Sequence, residues 1–145
     1  MTRRPEPLPP LALGGGFFLL ALLLLAGCSR MMTVPQTVEP AQAWNMIRMN
    51  TKNPDLVIID VRTEEEYRRE HIPRAINLDV QSTSFRRDID ALPRDKTYLL
   101  YCRAGNRSFT ALEIMTASGF GKVSVIAGGF NAWVRSGLRT TNAEE

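Results

Sequence analysis

Two short, largely apolar runs constrain the fold of this chain more than any other feature. They are LVIIDV at Leu56–Val61 and TYLLYC at Thr97–Cys102; a third run, KVSVIAGG at Lys122–Gly129, closes with two glycines. Runs of this length without regular polar alternation are typical of strands that are covered on both faces. We therefore expect a sheet that is buried on both sides.

Segments with helical patterns separate these runs. Thr63 and Glu66 form a capping-box pair at the start of one segment, and Pro40 suits the first position of another. We predict helices and one further short strand, Ala75–Leu78, the helices being Glu39–Met49, Thr63–Glu70, Ser82–Leu92, Arg107–Phe120 and Phe130–Gly137.

Strands that alternate with helices predict an α/β fold with a parallel, helix-covered sheet. In such sheets, ligands bind beyond the carboxyl ends of the strands. Asp60 and Cys102 both stand at that end of their strands. The pattern therefore predicts a site at this edge of the sheet, with Cys102 at its border.

The N-terminal segment has a different character from the rest of the chain. Arg3 and Arg4 precede the uncharged stretch Leu11–Ser29, which contains LAGC at Leu25–Cys28. This layout is that of a secretory signal. LAGC resembles the lipobox of bacterial lipoproteins, whose signal is cleaved before a cysteine that then carries lipid. The alternative is a plain transmembrane anchor, because the run is about long enough to span a bilayer.

The lipobox interpretation predicts a signal peptide at 1–27, a lipidated tether at 28–36, a folded domain at 37–139 and a polar tail at 140–145. It places the protein in the bacterial cell envelope, lipid-anchored at Cys28 and outside the cytoplasm. In a bacterium with two membranes, Ser29 resembles a signal for the outer membrane, where the domain would face the periplasm.

Cysteine usage and charge narrow the function. The chain has two cysteines, so lipidation of Cys28 leaves Cys102 as the only free thiol, and we expect no intramolecular disulfide. An unpaired thiol outside the cytoplasm is exposed to oxidation unless it is buried or used. The formal net charge is +3, and the basic residues are scattered. Together with export, this argues against binding of nucleic acid.

The segment CRAGNRS, which follows the second run, has the composition of an anion-binding loop. Gly105 and Asn106 tolerate positive φ, so the chain can curl before a helix that we expect to begin near Arg107 or Ser108. Amides of a curled loop and of a helix start favour an anion, and they should lower the pKa of the thiol without a histidine base. The candidate nucleophile is Cys102, and the candidate substrate-binding residues are Arg103, Ala104, Gly105, Asn106, Arg107 and Ser108.

The loop CRAGNR at Cys102–Arg107 resembles the active loop of the rhodaneses, which are thiosulfate sulfurtransferases. Asp60–Leu78 and Gly128–Leu138 resemble the amino-terminal and carboxyl-terminal signatures of that family. The resemblance implies a five-stranded parallel sheet with helices on both faces and a cysteine that cycles through a persulfide. The family usually has glycine where this chain has Glu70 and Arg74, and this departure concerns the backbone of two turns.

Outside the loop, Asp60 and Arg62 are predicted to support the site, and two further residues are predicted to be structural. We interpret Asp60 as a residue that organises the backbone or Arg62 near the site. His71, the only histidine, is interpreted as a hydrogen-bonded turn residue, and Trp133 as a core residue behind the glycine turn.

The position of the second loop arginine distinguishes sulfur from phosphorus chemistry. Phosphatases and arsenate reductases of the same superfamily place this arginine one residue further on, where the present chain has Ser108. A shorter loop leaves less room for a tetrahedral phosphate and suits a sulfane sulfur on Cys102. We therefore expect sulfur transfer, and the alternatives are an exported phosphatase and a non-catalytic persulfide or polysulfide carrier or interaction module.

The expected partners follow from this chemistry. They are a small sulfur-containing donor, a thiol or cyanide as acceptor, and the membrane through the lipid on Cys28. We expect no cofactor and no metal, and we expect a monomer.

Overall fold

The apolar runs form one five-stranded sheet of parallel strands in the order β1-β5-β4-β2-β3. The computed structural model describes residues 37–52 and 54–142. The strands are β1 Thr37–Val38, β2 Leu56–Asp60, β3 Ala75–Asn77, β4 Thr97–Tyr101 and β5 Val123–Ile126. The helices are α1 Pro40–Met49, α2 Glu64–Arg69, α3 Phe85–Asp90, α4 Asn106–Ala117 and α5 Gly129–Arg135. The predicted α/β class is confirmed.

Both faces of the sheet are buried, because the side chains of each strand alternate between two apolar clusters. Leu100 packs on one face with residues of α3 and α4. Leu99 and Tyr101 pack on the other face with residues of α1 and α5. The runs lack polar alternation because each face needs apolar side chains to cover a helix layer.

The connections place a crevice between β2 and β4. These strands are neighbours, with Asp60 in register with Tyr101. The chain leaves β2 towards β3 on one side, whereas it leaves β4 towards β5 on the other. Such a switch in direction opens a crevice at the carboxyl ends of the two strands, where ligands of α/β proteins bind.

The predicted helix boundaries are confirmed where capping chemistry determines them. Pro40 is the first residue of α1, and Thr63 caps α2 through the reciprocal capping box with Glu66. Gly119 has φ +88°, and the amide of Phe120 donates to the carbonyl of Met115. A left-handed residue directly after a helix is a common way to satisfy the last carbonyls.

Arg74 and Glu70 stand where the family usually has glycine, and their backbone conformations differ. Arg74 has φ +69°, the left-handed region that glycine adopts without strain. Its guanidinium donates to the carbonyls of Ile47 and Asn50 at 3.4 and 3.2 Å, which holds the turn against α1. Glu70 has φ −169°, an extended conformation that any residue adopts.

Both ends of the domain carry pairings that the sequence patterns do not predict. Thr37 and Val38, the first residues of the predicted domain, form an edge strand that pairs with Val125 and Ile126 and that is not among the predicted strands. A two-residue strand shows no periodicity, so no pattern predicted it. The polar tail predicted at 140–145 is in part attached to the domain, among the residues that the structure describes. Thr141 exchanges backbone hydrogen bonds with His71 at 2.8 and 2.9 Å.

The predicted signal peptide and Cys28 lie outside the described residues. Within residues 37–52 and 54–142, no helix has the length and apolarity needed to cross a membrane.

Candidate active site

Strand β4 delivers Cys102 to the crevice, and α4 begins four residues later. The turn between them is possible because Gly105 has φ +116°, outside the range that other residues adopt easily. Helix α4 begins at Asn106, one residue earlier than expected, so Asn106 is helical and Gly105 alone makes the left-handed turn. The loop is therefore shorter and tighter than the sequence suggested.

The sulfur of Cys102 is buried beneath hydrogen-bond donors. Cys102 is 2% exposed, and the amide of Gly105 donates to its Sγ at 3.1 Å. Burial alone would raise the pKa of the thiol. The hydroxyl and amide of Ser108 and the amides of Gly105 and Ala104 outweigh burial and hold this pKa below its ordinary value. Donors that favour the charged sulfur are what a thiolate nucleophile requires.

Ser108 has an unusual hydroxyl within this group of donors. The side chain is fully buried, and its Oγ has no hydrogen-bond partner of normal geometry. A buried hydroxyl without a partner is destabilising, so its presence in a folded domain calls for an explanation. The same hydroxyl lowers the pKa of Cys102, so we assign its interaction to the sulfur, at a geometry looser than that of a normal hydrogen bond.

Helix α5 holds the loop from outside. The amide of Phe130 donates to the carbonyl of Cys102 at 2.7 Å, and the amide of Asn131 donates to the carbonyl of Arg103 at 3.0 Å. This approach needs Gly129, since a Cβ there would overlap the carbonyl oxygen of Cys102. Because the carbonyls of the loop are held outward by α5, its amides remain available on the inner side.

The end of β2 supplies a buried ion pair next to the loop. Asp60 and Arg62 are 0% and 4% exposed. The guanidinium of Arg62 donates to both carboxylate oxygens of Asp60 at 2.6–3.0 Å and to the carbonyl of Glu70 at 2.7 Å. Its Cζ also lies 4.2 Å from the ring centroid of Phe130. Asp60 thus organises Arg62, and Arg62 braces the start of α5.

The two loop arginines occupy different environments. Arg107, expected to bind substrate, has both terminal nitrogens bonded to the carboxylate of Glu66 at 2.7 and 3.0 Å. This ion pair lowers the pKa of Glu66 to about 2. Arg103 is exposed and, in the described part of the chain, has no ion-pair partner. Glu66 was predicted only as a helix cap, and no local pattern indicates a partner 41 positions along the chain.

Three other residues singled out in the sequence are Ala104, which lies on the loop, and His71 and Trp133, which have structural roles. Ala104 is exposed on the loop beside Gly105. His71 is buried, with Nδ1 2.9 Å from the carbonyl of Tyr67, which is a structural role. Trp133 is fully buried and donates from Nε1 to the carbonyl of Arg139 at 2.9 Å. Its predicted core position is confirmed.

A pocket of about 400 Å³ opens beside the loop. Its lining includes Arg62, Arg103, Phe130, Val134 and Arg135. No group of three or more His, Cys, Asp or Glu side chains among residues 37–52 and 54–142 could hold a metal ion. The site consists of protein groups that attract an anion next to a thiol.

A parallel α/β sheet that presents a buried thiol under inward-facing amides, at its switch point, defines a class of domain with a nucleophilic cysteine and an anionic ligand. Within that class, the chain belongs to the rhodanese-like domain family, whose model matches residues 39–136.

Individual relatives agree with this assignment. A sulfurtransferase of Allochromatium vinosum is 34% identical over 84 residues, which cover 58% of this chain and 77% of the relative. The thiosulfate sulfurtransferase GlpE of Coxiella burnetii is 30% identical over 96 residues, covering 66% and 84%. The crystal structure of a rhodanese-related protein of Thermoplasma volcanium superposes with a TM-score of 0.61 at 28% identity, covering 73% and 97%. These relatives support sulfur transfer as the general activity of the chain.

Proposed function

We propose that this protein is a sulfurtransferase that moves sulfane sulfur from thiosulfate, or a similar donor, to a thiol or cyanide through a persulfide on Cys102. The observation that carries the proposal is the buried Cys102 sulfur, with the Gly105 amide at 3.1 Å and a lowered pKa. The Allochromatium and Coxiella relatives, which are named as sulfurtransferases, support it.

The first half of the reaction is a displacement at sulfur. The Cys102 thiolate attacks the outer sulfur of thiosulfate, a new S–S bond forms, and the bond to the sulfonate sulfur breaks. Its electron pair leaves with sulfite. In the second half, cyanide or a thiolate takes the outer sulfur of the persulfide, the S–S bond breaks, and the Cys102 thiolate returns. No proton acceptor is required when the thiol begins ionised.

The two loop arginines, Arg103 and Arg107, have different roles in binding the anion. Arg103 and the inward amides bind the sulfonate group and then the leaving sulfite. Arg107 acts as a positioning residue, because its guanidinium is bonded to Glu66. Its charge remains close to the site and favours an anion there through space. The binding roles of Ala104, Gly105, Asn106 and Ser108 are through their amides or, for Ser108, its hydroxyl.

An exported phosphatase is less consistent with this loop. A phosphatase needs an arginine that faces the phosphoryl oxygens, whereas Arg107 is engaged by a carboxylate. A panel of phosphate esters tests this alternative, and robust turnover that depends on Cys102 would replace our proposal.

The decisive experiment measures thiocyanate formation from thiosulfate and cyanide. We expect the domain to catalyse it and the Cys102→Ser variant to fall to the uncatalysed rate, with an unchanged circular dichroism spectrum. Equal rates for the two proteins would exclude the mechanism.

Mass spectrometry distinguishes a catalyst from a carrier that holds the persulfide without turnover. Treatment with thiosulfate should add one sulfur to Cys102 in either case. A catalyst loses that sulfur rapidly to cyanide or a thiol, whereas a carrier retains it. Persistent added sulfur with negligible turnover would favour the carrier or interaction module.

We also propose that Cys28 carries lipid and anchors the domain in the cell envelope, outside the cytoplasm. The support is the LAGC segment at the end of an uncharged run. Labelled palmitate should be incorporated into the full chain and not into its Cys28→Ala variant. Equal labelling of both would contradict the anchor.

A further inference from the structure

The carboxylate of Glu66, on α2, binds the guanidinium of Arg107, in the first turn of α4. Two hydrogen bonds join them: Nη1 donates to Oε2 at 2.7 Å, and Nη2 donates to Oε1 at 3.0 Å. A guanidinium uses the same paired N–H groups to bind two oxygens of a sulfonate or a sulfate. These donors of Arg107 are therefore occupied by the protein before a substrate anion arrives.

The carboxylate of Glu66 is fixed from its own helix as well. Its Oε2 accepts from the amide of Thr63 at 3.2 Å and from the hydroxyl of Thr63 at 3.3 Å. The side chains of Glu66 and Arg107 are 22% and 25% exposed. Glu66 cannot turn away without losing the cap of α2, so an anion can take Arg107 only by leaving the charge of Glu66 unpaired beside it.

Arg107 is close enough to Cys102 for its charge to act on the site. The pKa of Arg107 is raised chiefly by its hydrogen bonds to Glu66, and further by the charges of Cys102 and Asp79. Glu66 lines the pocket beside the loop, as Arg103 does. If Arg107 were released from Glu66, its guanidinium would add to the positive charge that faces an anion next to Cys102.

We infer that Glu66 is a positioning residue that weakens the binding of oxyanions to the loop by occupying the guanidinium of Arg107. The inference deepens the proposed function and rests on it for the identity of the product. Sulfite that is weakly held leaves the Cys102 persulfide instead of attacking it in the reverse reaction. Sulfate and phosphate, which carry no sulfane sulfur, are for the same reason weak competitors for the loop.

The kinetic test measures KM for thiosulfate and the inhibition constant of sulfite. Glu66→Gln keeps a cap acceptor for Thr63 and removes the charge. Both constants should fall about tenfold, because the anion gains one charge-assisted hydrogen bond. A merely structural role predicts the opposite sign, since a loosened loop binds thiosulfate less well. A KM that is unchanged or raised in an active Glu66→Gln variant would overturn the inference.

Calorimetry with sulfate measures the same binding without turnover, so it decides the question even if thiosulfate is not the donor. In the Cys102→Ser background, Glu66→Gln should bind sulfate about tenfold more tightly. This gain should be lost when Arg107→Gln is added to Glu66→Gln. A gain that survives in the combined variant would show that Arg107 is not its source, and the inference would be wrong.

Two further variants separate this effect from net charge and from folding. Glu64→Gln removes an exposed carboxylate from the same helix, and it should change sulfate affinity less than about twofold because exposed charges are screened. Glu66→Ala removes the cap acceptor together with the charge. It should be less stable than Glu66→Gln and gain the same affinity for sulfate. An equal gain in Glu64→Gln, or affinities that follow stability, would contradict the role of Glu66.

Discussion

The ends of strands β2 and β4 are neighbours, and each is followed by a loop and a helix. They differ in whether their charged groups are paired within the protein. At the end of β2, the buried charges of Asp60 and Arg62 satisfy one another. At the end of β4, the Gly105 amide faces the Cys102 sulfur, and Arg103 is exposed without an ion-pair partner among the described residues. A charge that is satisfied internally braces the fold, and a charge that is left available can bind a substrate. The turn after β2, with Asp60 and Arg62, therefore has a structural role, and we call it the scaffold turn. The turn after β4, with Cys102 and Gly105, has the chemical role, and we call it the chemical turn.

The largest effect should come from breaking the scaffold turn. Asp60→Ala leaves the Arg62 guanidinium buried without its carboxylate, and removal of one partner from a buried ion pair costs about 3–5 kcal/mol. Urea unfolding measures this loss. Glu65→Ala is the matched control, because it removes the carboxylate of an exposed pair on the helix that follows the same strand. A loss for Asp60→Ala no greater than that of the control would show that the buried pair is not the brace.

The second prediction concerns the contact through which α5 fixes the chemical turn. Gly129 and Gly137 have φ +58° and +65°, but only Gly129 faces a backbone; a Cβ at Gly137 meets open space. Gly137→Ala should cost about 1 kcal/mol from strain alone. Gly129→Ala should cost about 1–3 kcal/mol more, because the new methyl group overlaps the Cys102 carbonyl.

The two glycine variants should also differ in activity. Displacement of the loop by Gly129→Ala should lower kcat/KM for thiosulfate and cyanide roughly 10- to 100-fold. Gly137→Ala should leave it within about twofold, because the added Cβ would meet no atom within 4 Å and so would not displace the loop. Unfolding curves of both variants measure the loss of stability, and their turnover of thiosulfate and cyanide measures the loss of activity. Equal losses for the pair would mean that strain, and not the approach of α5 to the loop, accounts for the effect.

A smaller effect should follow removal of the Ser108 hydroxyl. Ser108→Ala takes away a donor that favours the Cys102 thiolate, so the pKa of the thiol should rise and its alkylation by iodoacetamide should shift to higher pH. At pH 7, kcat/KM should fall about tenfold, as for loss of one hydrogen bond to a charged group. Ser118→Ala, at the other end of α4, is the control. An unshifted alkylation profile for Ser108→Ala would assign the hydroxyl to packing alone.

The sequence was sufficient to predict what depends on local pattern and insufficient for what depends on long-range contact. The apolar runs predicted the sheet, and Thr63 with Glu66 predicted the start of α2. Both predictions were possible because strand burial and helix capping depend on residues that are close together in the sequence. The pairing of Glu66 with Arg107 could not be predicted, since each residue has a complete local explanation as a cap or a loop charge. The pattern places Gly128 and Gly129 at the end of a strand, whereas Gly129 is the first residue of α5. Its close approach to Cys102 depends on how two elements pack.

The smallest predicted effect tests this long-range contact between the two turns. Glu66 has its pKa lowered to about 2 from 4.5, chiefly by Arg107, so its ionised form stabilises the folded state. A lowered carboxylate pKa adds stability above the ordinary value, and this contribution is lost as pH falls from about 4.5 towards about 2. Glu66→Gln keeps a cap acceptor for Thr63 and removes the charge. Because the pair is partly exposed to solvent, the loss at pH 7 should be about 1 kcal/mol.

The pH dependence separates this ion pair from a general effect of charge on α2. The difference in unfolding free energy between wild type and Glu66→Gln should shrink below pH 4.5, because wild-type Glu66 also becomes neutral as pH approaches its folded pKa of about 2. Glu65→Gln, one residue away with an exposed partner, should show little difference from wild type at pH 7. A difference for Glu66→Gln that does not vary with pH would mean that Glu66 acts through its shape as a cap. The two turns would then be linked through the sheet and α5, without a charge between them.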